Sequence, residues 1–267
     1  MRVCVVGYDC ASPYYVMIQR TEYTTIIAGP CAVESFEQMD TVCNTLSRLG
    51  LTHLRGGCFK PRTKCDTFRG LGVEGLAIMS EMRRKYGLTI ITEVRDTKHL
   101  DLVAETADII QIGAKSMFDN DLLLACGELK KTIVLKRNFA ATVKELVSAA
   151  EFISSKGNDD IILCERGIRT FETNTRFTLD LCGVAWLKQN TNFPIIIDPS
   201  HAMGLAYGVP DLARASVAMG IDGLMLEIHP EPSKALSDAR QQLDMKQFEQ
   251  LYSSLIPIAQ SIGKNLI

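Results

Sequence analysis

Four residues far apart in the chain carry the donor types of a transition-metal site: Cys31 in AGPC, His201 in DPSH, Glu227 in LMLE and Asp238 in ALSD. A thiolate, an imidazole and two carboxylates are of mixed softness, which suits Mn, Fe, Co or Zn better than Mg or Ca. The four are too dispersed to form a diagnostic spacing, and a histidine among polar neighbours is commonly just hydrogen-bonded. The residues alone leave both readings open. A second group is cationic: Arg55, Lys60, Arg62, Lys115, Lys136 and Arg166. In a chain of net charge -2, cations converging on one place would focus positive potential there, and the simplest guest is a small molecule with several negative groups. Phosphate and carboxylate suit arginine forks. Glu93, Glu165 and Asp198 are expected to pair with some of these cations and to leave an excess.

What would bring such residues together is that most of them end, or closely follow, a short apolar run. Eight runs read as strands: TTIIAG, THLRGG, LTIITEV, ADIIQIG, TIVLKR, DIILCERG, FPIIIDPSH and DGLMLEIHP. Amphipathic stretches such as SFEQMDTVCNTLSRLG, EGLAIMSEMRRKYG and ATVKELVSAAEFISSKG lie between them, with apolar residues at helical spacing and a closing glycine. The last helix carries Pro257 and is expected to bend there. Eight strand-then-helix units with near-continuous apolar strands predict an α/β fold, a (β/α)8 TIM barrel; an open doubly wound sheet is the lesser alternative. Sites in such barrels lie at the C-terminal ends of the strands. On closure, strand eight lies between seven and one, so Cys31, His201 and Glu227 come from neighbouring strands, with Asp238 on the loop above. The run FPIII then acts as a rigid mount for His201, with Pro199 fixing the backbone as it leaves the strand.

The bulk properties narrow the function further. At 267 residues and 46% apolar content, the chain reads as one domain, residues 1–267, with residues 1–23 as an N-terminal extension, a hairpin or arm across the barrel bottom. A pI of about 6.1 supplies no general basic field for nucleic acid or an anionic membrane. The first residues, interrupted by Asp9 and Pro13, are too polar for a signal peptide or a span. Nine cysteines without an export signal or a CxxC pair are expected to be reduced, in a cytoplasmic protein.

From about residue 26 to 243 the sequence resembles the 3-deoxy-D-arabino-heptulosonate 7-phosphate (DAHP) synthases, in the compact group related to 3-deoxy-D-manno-octulosonate 8-phosphate synthases. The blocks that carry the resemblance are, in order, AGPCAVES, LRGGCFKPRT, GLGVEGL, TEVRD, IIQIGAKSM, VLKR, ILCERGIRTFE, DPSHAMG, LMLEIHP and ALSDARQQL. The resemblance implies a divalent metal held by Cys31, His201, Glu227 and Asp238, the set already singled out. It implies phosphoenolpyruvate bound by Arg55, Lys60, Lys136 and Arg166, and the aldose phosphate clamped by Arg62 and Thr63 of KPRT. It also implies the barrel itself and a homotetramer or homodimer. The KPRT block favours erythrose 4-phosphate as the aldose, and with it DAHP formation, the first step of the shikimate pathway. Lys115 and Asp198 are further candidates for substrate contact, Lys60 and His201 for proton donation beside Cys31, and Glu93 and Asp198 for orienting water.

Three departures stand out. Family members usually read IGAR where this chain has Gly113-Ala114-Lys115, so a bidentate fork becomes a point charge. They read KRG where it has Lys136-Arg137-Asn138, and GRR follows the metal histidine where it has Gly204-Leu205-Ala206. These keep two alternatives in view: the same chemistry on a different aldose, and an inactive ligand-binding relative. A Schiff-base aldolase using Lys136 is a third; it requires a lysine in an apolar pocket and leaves the four metal-type residues unexplained. No fused regulatory domain is expected.

Overall fold

In a computed structural model of the protein, which describes residues 18–60 and 68–267, eight short parallel strands close on themselves. They are β1 (Tyr23–Gly29), β2 (His53–Arg55), β3 (Thr89–Val94), β4 (Ile109–Ile112), β5 (Thr132–Lys136), β6 (Ile161–Glu165), β7 (Ile195–Ile197) and β8 (Gly223–Glu227). Each pairs with the next in sequence, and β1 pairs with both β8, where Gly29 faces Glu227, and β2, where Ile27 faces His53. That last pairing closes the barrel and removes the open-sheet alternative. The helices alternate with the strands: α1 (Phe36–Arg48), α2 (Val73–Tyr86), α3 (Leu100–Thr106), α4 (Asn120–Gly127), α5 (Val143–Ser154), α6 (Leu181–Asn190), a short α7 (Pro199–Met203), α8 (Val209–Ala218) and α9 (Met245–Ser261).

Strand side chains alternate between two faces, and here the two faces feed two separate cores. Ile26, Ala28, Ile90, Ile110, Ile133 and Leu163 point outward and pack with helix residues such as Val42, Leu46, Met79, Leu146 and Leu255. Ile27, Ile91, Ile109, Val134, Ile162, Cys164, Ile196 and Met225 point inward and fill the barrel. Ile18 joins this inner layer from the chain ahead of β1; residues 1–17, most of the expected hairpin or arm, lie outside the described residues.

The helix starts follow local chemistry. Ser35 caps α1, while Thr142 with Glu145 and Asp244 with Gln247 form capping boxes on α5 and α9. The helix α9 continues through Pro257. Pro257 and Ser253, whose carbonyl loses its helical donor, both lie on the exposed face, where water can satisfy that carbonyl. Two elements add to the expected pattern. The first is α7, started by Asp198 as N-cap and Pro199 at its first turn. The second is β9 (Asn265–Leu266), which pairs with the start of β1. No helix among the described residues is long and apolar enough to cross a membrane.

Candidate active site

The inward alternation that fills the barrel also builds the site, because two residues beyond the apolar layer the same face turns polar. Glu93 follows Ile91, Gln111 follows Ile109, Lys136 follows Val134, Arg166 follows Cys164, Asp198 follows Ile196 and Glu227 follows Met225. One residue out of phase the chemistry faces away. Arg137 donates to Glu165 Oε2 and Asp180 Oδ2, both at 2.8 Å, so these charged strand ends pair among themselves outside the barrel. His229 likewise turns to Glu34, at 3.3 Å.

The structure brings together the four metal-type residues. One donor atom from each of Cys31, His201, Glu227 and Asp238 lies within 4.8 Å of all the others. Cys31 Sγ is 3.3 Å from Asp238 Oδ2, and His201 Nε2 is 3.5 Å from Glu227 Oε1 and 4.0 Å from Asp238 Oδ2. Ligands bonded at roughly 2.0–2.3 Å to one tetrahedral ion stand about 3.3–3.7 Å apart, so the donor set fits a divalent cation with little movement. The His201 ring is held in a ligating orientation, since Nδ1 is 2.7 Å from Asp198 Oδ2 and Nε2 is left toward the cluster. Asp198 also caps the His201 backbone N–H at 2.9 Å and accepts from Lys136 Nζ at 2.5 Å. Glu227 accepts from Arg55 Nη1 at 2.7 Å and from Gln241 Nε2 at 2.6 Å. Lys60 Nζ stands 3.2 Å from Cys31 Sγ.

The electrostatics are those of buried charges packed against each other. Burial, reinforced by Glu227, pushes the Cys31 thiol up to about 12. Burial would also raise Asp198, but His201 and Lys136 beside it outweigh that and hold the carboxyl well below the usual range. Asp238 falls to about 2 against its own desolvation because His201 and Arg176 face it. Burial lowers His201 and Arg166.

A cavity of about 140 Å³ opens beside the cluster, and Lys60, Lys115, Lys136, Arg166 and His201 line it together with Glu93 and Asp238. Arg166 Nη1 and Arg55 Nε are buried without a hydrogen-bond partner among the described residues. Such orphaned donors are costly unless an acceptor arrives. Arg55 sits behind the cavity, tied to Pro30 O at 2.6 Å and to Glu227. Asp198 is fully engaged beneath it. Arg62 and Thr63 lie outside the described residues. Strand-end reasoning passed over Arg176, which lines the cavity and donates to Gln241 Oε1 at 2.8 Å and Asp238 Oδ1 at 3.3 Å.

The DAHP synthetase I family pattern matches residues 12–262. The chain belongs to that family. Phospho-2-dehydro-3-deoxyheptonate aldolase of Thermotoga maritima is 46% identical over 241 residues, covering 90% of this chain and 71% of that protein. The crystal structure of that enzyme superposes with a TM-score of 0.90 at 45% identity, over 92% of this chain and 72% of the other. A 2-dehydro-3-deoxyphosphooctonate aldolase from Syntrophotalea carbinolica is 32% identical over 251 residues, 87% of this chain and 90% of its own length. The protein is therefore an enzyme, an aldol-type synthase, as the resemblance implied.

Two of the three departures from the family pattern acquire a structural account. Asn138 donates through Nδ2 to Ala114 O at 2.8 Å and accepts from Ala140 N at 2.9 Å, tying the loop after β5 to the loop that carries Lys115. Leu205 and Ala206 pack against the outer core in place of two charged side chains.

Proposed function

We propose that the protein condenses phosphoenolpyruvate with erythrose 4-phosphate and water to give DAHP and inorganic phosphate, the entry reaction of the shikimate pathway. One observation carries the reading: a four-donor cluster with members no more than 4.8 Å apart adjoins a cavity lined by Lys60, Lys115, Lys136 and Arg166. Cys31, His201, Glu227 and Asp238 would hold a divalent ion of the Mn, Fe, Co or Zn kind, which when bound supplies Lewis acidity toward the aldehyde carbonyl. The whole chain would act as one catalytic barrel.

The remaining work falls to the protein's own groups. Lys60, Lys115, Lys136 and Arg166 neutralise the phosphate and carboxylate of phosphoenolpyruvate and fix its C3 toward the aldehyde carbon, which is orientation plus electrostatic stabilisation. The orphaned Nη1 of Arg166, on the cavity wall, is a donor awaiting that anion, while Arg55, which the resemblance assigns to phosphoenolpyruvate, sits behind the cavity with an orphaned Nε. Water adds at C2 and phosphate departs by C–O cleavage. Both nitrogens of His201 are committed, Nδ1 to Asp198 and Nε2 to the donor cluster, which favours Lys60 over His201 as the proton donor. Glu93, which lines the cavity, is assigned to orienting the water, whereas Asp198 acts through His201 and Lys136. Arg62 and Thr63 of the KPRT block are assigned to the aldose phosphate by resemblance alone.

The departure at Lys115, tied through Ala114 to Asn138, favours a second reading: the same chemistry on another aldose phosphate. A panel of aldose phosphates, each with phosphoenolpyruvate, Mn2+ or EDTA, and a phosphate-release assay decides between the two. Metal-dependent release with erythrose 4-phosphate supports the first reading; release only with a different aldose supports the second. Cys31→Ala is expected to stay folded while losing metal and turnover, and full turnover in that variant would remove the metal role.

A further inference from the structure

Arg176 lies in the segment between β6 and α6, and that segment is pinned to the helix that carries His201. The Arg176 N–H donates to Met203 O at 3.1 Å and the Phe177 N–H to Ala202 O at 2.8 Å. Gly204 permits this approach: it has φ +71, and a Cβ there would stand 2.5 Å from the Cβ of Arg176. From this anchored position the guanidinium reaches across the mouth. Its Nη1 donates to Asp238 Oδ1 at 3.3 Å and to Gln241 Oε1 at 2.8 Å, and Gln241 in turn donates to Glu227 Oε2 at 2.6 Å.

Asp238 needs such support. It is the one non-glycine residue with positive φ among the described residues, at φ 49 and ψ 37, a conformation that costs free energy unless its surroundings hold it. With Oδ1 engaged by Arg176, Oδ2 is the atom that faces Cys31 and His201. Arg176 thus touches one metal-type carboxylate directly and the other through a single amide, while its backbone is fixed to the helix of a third ligand.

We infer that Arg176 is a positioning residue for the metal site, setting Asp238 directly and Glu227 through Gln241 and holding both in register with His201. The inference rests on the four-ligand reading proposed above. Stability is not its main effect, because the Arg176 side chain is 39% exposed and so open an ion pair contributes little to it. Its leverage is on affinity: removing a group that orients metal ligands typically costs about 10–100-fold in metal binding.

The test uses the full chain and Mn2+ alone, with free Mn2+ read by electron paramagnetic resonance. In Arg176→Ala the Mn2+ dissociation constant is expected to rise about 10–100-fold, while the thermal midpoint of the metal-free protein barely moves. Arg176→Lys is expected to recover part of the affinity, since a lysine restores the charge but as a point charge on a flexible stem, without the planar guanidinium that fixes the direction of both donors. The Mn2+ concentration that half-activates turnover should rise in step with the dissociation constant, separately from the KM for phosphoenolpyruvate. Unchanged Mn2+ affinity in a folded Arg176→Ala overturns the inference, and if alanine does not fold, unchanged affinity in Arg176→Gln overturns it equally. Cys31→Ala separates the two levels. Lost binding there with none lost at Arg176 removes only the positioning role, whereas retained binding in Cys31→Ala removes the ligand set and the positioning role with it.

Discussion

Asp198 is the side chain on which most of the site's order depends. One carboxylate oxygen caps α7 at the His201 N–H, and the other accepts from His201 Nδ1 and Lys136 Nζ. Asp198→Asn keeps an oxygen for the cap but sets an amide N–H2 or a neutral oxygen against a buried ammonium. Metal affinity is expected to fall about 10–100-fold, and loss of a buried charge partner costs about 3–5 kcal/mol of stability. Mn2+ titration and urea unfolding of the variant check the two effects separately. The Cys31 thiol, pushed up to about 12 by burial, must lose its proton to become a ligand. Binding of the proposed metal would therefore release a proton at neutral pH, and affinity should rise with pH, on the order of tenfold per unit; calorimetry in buffers of different ionisation enthalpy counts the proton directly. At this scale the sequence was informative wherever a residue ends a strand in phase with the inner layer. Lys136, Arg166 and Glu227 were legible for that reason; Cys31, Lys60 and His201 follow a strand end within a few residues, and Asp238, on the loop after β8, was singled out by its residue type and by the resemblance. Arg176 was not, because its position depends on a loop folding back onto α7, and nothing in FETNTRF reports that contact.

The strands do two jobs with one alternation, an apolar layer below and a charged layer above, and the tolerances between them are small. Gly29 shows how small. A Cβ at that position would stand 1.8 Å from the carbonyl oxygen of Arg55 on the neighbouring strand, a backbone atom that cannot move without breaking the β1–β2 pairing that closes the barrel. Gly29→Ala is expected to destabilise the protein by more than about 3 kcal/mol, the severe end for a single substitution, measured as a shift in urea midpoint or as insoluble expression. Among the connecting elements, Phe177 holds a central place: it stacks on Phe139 with centroids 5.3 Å apart, and Arg166 lies 4.3 Å above its ring. Phe177 thus links the anion side of the mouth to the Arg176 side. The strand and helix count could be read from period and caps because each unit is local. The short α7 and the terminal β9 could not be read in the same way. The first is a single turn hidden behind a strand-like run, and the second forms because Tyr23 and Thr24 run ahead of the pairings of β1 with β2 and β8 and meet Asn265 and Leu266 from the far end of the chain.

For the whole molecule, the proposed metal also contributes to stability. An ion that binds the folded chain and not the unfolded one adds about 2.7 kcal/mol at a hundred times its dissociation constant, which for a chain of this size corresponds to about 5–10 °C in Tm. Scanning calorimetry with and without Mn2+ measures the shift, EDTA should reverse it, and Cys31→Ala should show none. Net charge and pI, read over the whole chain, argued only against partners with large charged surfaces; the local excess of cations at the mouth is what selects a small polyanion. The opposite end of the cylinder sets a different limit. Ile18 and the eight inward side chains around it are almost completely shielded from solvent, so the barrel has a dry floor. Among the described residues nothing opens below that layer, so a guest in the proposed site would leave by the mouth through which it entered.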